Sequence, residues 1–168
     1  MFLLLACHKP EPEPIDSTPT VEDTGCEVGT AVGECPEDYD LYDQEGDVHT
    51  LSEHERAVVS VSVMWDPTWQ DRVRDIDEFY EAHPEVPTFD VLCENLAGED
   101  PIGDDALLWS DSLGLSLTVL LSDEEFRESW PSPGEYGSYV VFVEDGAVRF
   151  RGISSTVALK ETLESYVD

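Results

Sequence analysis

Residues 57–64, AVVSVSVM, make a nearly unbroken β-branched run, and Asp66-Pro67 follows almost at once. No other stretch restricts the possible folds as much. A strand apolar on both faces has to be covered on both, which is the position of a central strand in an α/β sheet. Asp66 is a preferred helix N-cap, and Pro67 suits the first helical position, where its missing amide costs nothing. Trp69, Val73, Ile76 and Phe79 or Tyr80 then recur at helical spacing, and Pro84 and Pro87 stop the segment. The chain therefore turns from a buried strand directly into an amphipathic helix.

The same punctuation continues on either side. Residues 39–43 alternate, Gln44-Glu45-Gly46-Asp47 turns, and residues 48–51 complete a hairpin in which Gly46 supplies the turn conformation. Residues 88–93, TFDVLC, predict a strand, 95–103 a loop, 104–113 a helix ended by Gly114, and 115–121 another strand. Ser122 and Glu125 have capping-box spacing ahead of Phe126. Trp130-Pro131-Ser132-Pro133-Gly134 breaks the chain. Two strands, 139–143 and 147–151, are joined by Glu144-Asp145-Gly146. Ser154 then caps a last helix carrying Val157, Leu159, Leu163, Tyr166 and Val167 on or near one face. By the crossover rule, 57–64 and 139–143 are expected as neighbouring central strands under the helix from Pro67.

Four segments are expected: 1–6 a truncated signal, 7–25 a disordered acidic Pro-rich tether, 26–36 a Cys-flanked lead-in loop, and 37–168 the folded domain. The start, MFLLLAC, resembles the lipobox of bacterial lipoproteins, in which the cysteine, here Cys7, is diacylated. It is too short to span a bilayer, which takes about twenty residues. It also lacks a basic n-region and most of an h-region, as a start placed too far downstream would explain. The alternative is an accidental apolar N-terminus with a free Cys7. An exported chain meets an oxidising compartment, where Cys26 and Cys35, closing a short loop, favour a disulfide over the weaker alternative of a metal site. Cys93 lies in an apolar run and is expected as a buried free thiol.

Thirty-nine acidic against eight basic residues give a net charge of −31, which repels nucleic acid and anionic lipid headgroups. The acids are spread along the whole chain, favouring solubility in salty surroundings over the alternative, a preference for cationic partners or divalent ions. Asp38, Asp40, Asp43 and Asp47 only faintly resemble a calcium loop, since spacing and glycine position do not match, and hairpin alternation accounts for them better. His49, His54 and His83 are scattered. Neither a metal nor a cofactor is expected.

The order hairpin, βαβ, αβ, β-hairpin, α resembles the thioredoxin-like redoxins, that is, envelope thiol–disulfide reductases and peroxiredoxin relatives. The matching words are Leu41-Tyr42-Asp43-Gln44-Glu45-Gly46, VVSVSVMW leading into a helix, and Tyr139-Val140-Val141-Phe142-Val143-Glu144-Asp145-Gly146. The resemblance implies an α/β/α sandwich with a mixed central sheet and an N-terminal hairpin extension. In that family the strand-to-helix corner reads Trp-Cys-x-x-Cys; here it reads Trp65-Asp66-Pro67-Thr68-Trp69. The first thiolate attacks a disulfide and the second resolves the mixed disulfide, and Asp66 can do neither. The peroxiredoxin cysteine is also replaced by Asp66, and about Gly137 stands where the family keeps a cis-proline. The expected function is a non-catalytic one, binding a protein or peptide beside Asp66 and Gly137. One rival is an oxidoreductase or peroxidase using Cys93 or the Cys26–Cys35 pair; another is ion or ligand binding by the acidic surface.

Overall fold

A computed structural model describes residues 27–130, 139–152 and 156–167. Cys7, the tether, Cys26, Gly137 and Ser154 lie outside the described residues. Seven strands and four α-helices follow in the order β1 (Asp40–Asp43), β2 (Val48–Thr50), β3 (Arg56–Val63), α1 (Pro67–Ala82), β4 (Thr88–Glu94), α2 (Gly103–Leu113), β5 (Thr118–Leu121), α3 (Glu124–Ser129), β6 (Tyr139–Glu144), β7 (Ala147–Gly152) and α4 (Thr156–Val167). They form one mixed sheet in the order β2-β1-β5-β4-β3-β6-β7.

β3 is central, parallel to β4 and antiparallel to β6, as its two-sided apolar character requires. The β1–β2 hairpin extends the sheet by pairing β1 with β5. Its turn is closed by Asp43, whose backbone bonds to Asp47 and Gly46 and whose carboxylate accepts from the amides of Glu45 and Asp47. Gly46, at φ +88°, supplies the left-handed residue that closure needs.

Side chains of the central strands alternate between two apolar clusters. Val58, Leu92, Val140 and Phe142 join Trp69, Val73, Ile76 and Phe79 of α1, Trp109 of α2, and Leu159 and Leu163 of α4. Val59, Val61, Val63, Val91, Cys93 and Val141 point the other way, towards Phe126 of α3 and Trp130. Helices thus cover both faces, three on one and α3 on the other. Among the described residues no helix is long and apolar enough to cross a membrane.

Two local details differ from expectation. β5 begins at Thr118, not 115, because the amides of Ser116 and Leu117 donate to the Asp77 carboxylate of α1 (2.7 and 2.8 Å) instead of a neighbouring strand. The cap of α3 is Asp123, whose carboxylate accepts from the Phe126 amide at 2.7 Å, not Ser122, whose own amide is still bonded to the Leu92 carbonyl.

Candidate functional site

The β3–α1 corner holds each of its five residues in a separate role. Met64 N–H bonds to the Glu94 carbonyl, tying the end of β3 to the end of β4. Trp65 then turns outward, 41% exposed, with its indole N–H donating to the Glu94 carboxylate. Asp66 is the N-cap of α1: its carboxylate accepts from the Thr68 amide at 2.9 Å and the Thr68 hydroxyl at 2.6 Å, and Pro67 opens the helix. Trp69 is fully buried in the α1-side core, with the Arg72 guanidinium 5.0 Å from its ring centroid.

Of the two positions where a redoxin keeps sulfur, one is therefore a helix cap and the other a core anchor. A carboxylate that caps a helix is not a sulfur nucleophile, and it does not exchange with disulfides. Asp66→Ala is expected to lower stability by about 1 kcal/mol, the usual worth of such a cap. Urea unfolding measures it, and an unchanged midpoint would show that the cap bonds contribute nothing.

Among the described residues the cysteines are Cys93 and Cys35. Cys93 projects into the α3-side cluster, on the sheet face opposite α1, and is 1% exposed. Its Sγ sits 3.9 Å from the Val91 carbonyl, and burial pushes the thiol up to about 12, which suppresses the nucleophilic thiolate. Cys35 is disulfide-bonded; Cys26, its expected partner, falls outside the described residues. The lead-in carrying Cys35 docks on β7 through Gly33 N–H to the Val148 carbonyl and Val148 N–H to the Glu34 carbonyl. β7 is the edge strand, two strands removed from β3.

The aspartates that faintly resembled a calcium loop are engaged by the hairpin. Asp38 accepts from the Ser52 amide and hydroxyl, Asp40 from Thr50 Oγ1 at 2.6 Å, and Asp43 also contacts His49 Nε2 at 2.9 Å. His83 ends α1, its backbone N–H bonded to the Phe79 carbonyl, and His54 stacks near Phe89.

Two features escaped sequence reasoning. Leu96 and Ile102, 64% and 61% exposed, lie in the connection from β4 to α2. The sequence marked 95–103 only as a loop, and its two large aliphatics were the sole signal. The second is Asp90, wholly buried between the sheet and α2. Its Oδ2 accepts from Ser62 Oγ and Trp109 Nε1, both at 2.8 Å, while Oδ1 has no hydrogen-bond partner. Burial, opposed by these bonds, pushes its pKa up to about 6. The lone acid inside TFDVLC was its signal.

No protein-family model matches the sequence, and no curated protein does. Solved structures do. The thioredoxin domain of a thiol-disulfide oxidoreductase from Bacteroides vulgatus superposes with a TM-score of 0.68 at 14% identity, over 82% of this chain and 99% of that one. An exposed lipoprotein thioredoxin from Streptococcus pneumoniae gives 0.59 at 19% identity, over 77% and 99%. A thiol peroxidase from Chromobacterium violaceum gives 0.60 at 11% identity, over 85% and 91%. With its mixed sheet, its helices on both faces and these neighbours, the chain has the thioredoxin-like fold.

Proposed function

We propose that this domain is a non-catalytic binding module that uses the β3–α1 corner to hold a protein or peptide. One observation carries the reading: Asp66 is fixed as the cap of α1 between an exposed Trp65 and a buried Trp69, where the dithiol of a redoxin would stand. The corner keeps the position and the outward aromatic while the nucleophile is gone. Trp65, Leu96 and Ile102 offer apolar contact, and aromatic anchors of this kind supply much of the energy of peptide binding. About Gly137, outside the described residues, belongs to the proposed groove because the resemblance to redoxins puts the cis-proline position there. The proposal extends to an envelope lipoprotein anchored through Cys7, with an acidic tether and a Cys26–Cys35 clip. The exposed lipoprotein among the structural neighbours supports that setting.

Catalysis and binding are tested separately. Insulin reduction by dithiothreitol and peroxide consumption are expected at the uncatalysed background, unchanged in Cys93→Ser. Turnover that disappears in that variant would restore the enzyme reading. Selection from a peptide library should yield ligands whose affinity falls about ten-fold or more in Trp65→Ala. Ligands indifferent to that change would place the binding surface elsewhere.

A further inference from the structure

Tryptophan carries one of the largest apolar surfaces a residue can bury. Trp69, Trp109 and Trp130 bury theirs and are at most 2% exposed. Trp65 does not, yet it is held in place. Its indole N–H donates to Glu94 Oε2, and the amide of the preceding residue, Met64, bonds to the Glu94 carbonyl. One residue of β4, Glu94, therefore fixes both the backbone and the ring at this corner.

That bond decides what the ring can still offer. The indole nitrogen is the only polar atom of the side chain, and it is spent, so a ligand meets carbon and π surface and no donor. A carboxylate at the N–H edge adds negative charge beside a ring whose faces are already negative, which strengthens the pull on a cation. None of the ion pairs between described residues includes Glu94, and its Oε1 accepts no hydrogen bond among them. Acids are common all over this chain, but among the described residues no other exposed indole is bonded to one.

We infer that the corner recognises an arginine side chain of its protein or peptide partner, the guanidinium stacking on the Trp65 ring and bonding to Glu94 Oε1. The inference rests on the binding role proposed above for the same corner and names the chemistry of the partner. Arginine suits the pair better than lysine, because a planar guanidinium lies flat on an indole and still directs N–H groups sideways at a carboxylate. An aliphatic anchor would gain nothing from Glu94, and an acidic one would be repelled by it.

The test follows the Trp65 indole N–H resonance of the ¹⁵N-labelled whole protein, assigned by its loss in Trp65→Phe. The probes are the N-acetyl methylamides of arginine, lysine, citrulline and leucine, in about 0.1 M salt, where charges beyond roughly 10 Å are screened. Arginine is expected to bind best, with citrulline, its neutral isostere, weaker by about five-fold. Glu94→Gln keeps an oxygen for the indole N–H while removing the charge; it should weaken arginine about five-fold and leave leucine unchanged. Glu55 precedes β3, at the far end of that strand from Trp65, so Glu55→Gln should leave arginine unchanged. Leucine or citrulline binding as tightly as arginine would overturn this inference and leave the corner standing as a binding surface. Equal losses in Glu94→Gln and Glu55→Gln would overturn it in favour of the general charge of the chain. No saturable shift from any of the four probes would overturn it and count against the corner as well.

Discussion

Trp69→Cys is expected to cost about 3–5 kcal/mol of folding stability, and with Asp66→Cys added roughly 1 kcal/mol more. Trp69 is fully buried within the cluster built by α1, α2, α4 and one face of the sheet. A cysteine there leaves a void that surrounding side chains refill only in part, because large-to-small changes lose both transfer energy and packing. A domain of this size has about 5–15 kcal/mol in total, so the double change removes a large share of it. Trp69→Phe separates volume from chemistry. The indole N–H of Trp69 has no partner, so phenylalanine removes an orphaned donor while keeping most of the ring, and this variant should lose much less. Urea unfolding followed by circular dichroism measures all three. A Trp69→Cys protein within 1 kcal/mol of the parent would show that the core closes over the site. The expected loss means that two point changes do not simply install a dithiol at this corner, because Trp69 is part of the core.

Much of this fold was legible because its signals are local. The β-branched run of β3, the Asp66-Pro67 cap, the Gly46 turn and the Glu144-Asp145-Gly146 hairpin each follow from side-chain shape and backbone freedom, and each stands where expected. The absence of cysteine at the β3–α1 corner was equally plain, since Asp66 and Trp69 are read directly from the sequence. What stayed hidden depends on contacts far apart in sequence. Asp77 takes the Ser116 and Leu117 amides, 39 and 40 residues away, and so delays β5. A cavity lined by Trp130 draws on residues from the β2–β3 connection, β3, β6 and the β6–β7 turn, which no spacing rule unites. Asp90 reads in sequence as one polar residue in an apolar strand, and only tertiary packing shows that Trp109 and Ser62 surround it.

Asp90→Asn is expected to stabilise the protein by about 3 kcal/mol near pH 7.5 and to leave it unchanged near pH 4. The wild-type carboxyl is raised to about 6 by burial, above the ordinary aspartate value of 3.8. The folded state therefore holds this proton at pH values where the unfolded chain has released it. Stability from this group is fully present below about pH 4, declines as pH rises through 6, and is gone above it; the gap corresponds to about 3 kcal/mol. Asp90 is 0% exposed, so solvent does not screen this penalty. Asparagine has no proton to lose and keeps a carbonyl oxygen to accept from Ser62 and Trp109. Ser60 pairs with Asp90 across the β3–β4 register, and its hydroxyl interacts with the carboxyl, so the amide of asparagine has an oxygen to donate to. Many other carboxylates titrate between pH 4 and 6 in so acidic a chain, so the difference between variant and parent, not either curve alone, isolates Asp90. That difference should grow with pH, reaching roughly 6–12 °C in Tm above pH 7. Asp90→Ala supplies the contrast: it leaves the Trp109 and Ser62 donors unpaired and should destabilise at both pH values. Parallel parent and Asp90→Asn curves across this range would mean that the carboxyl is ionised in the folded protein throughout, with its charge balanced by its hydrogen bonds.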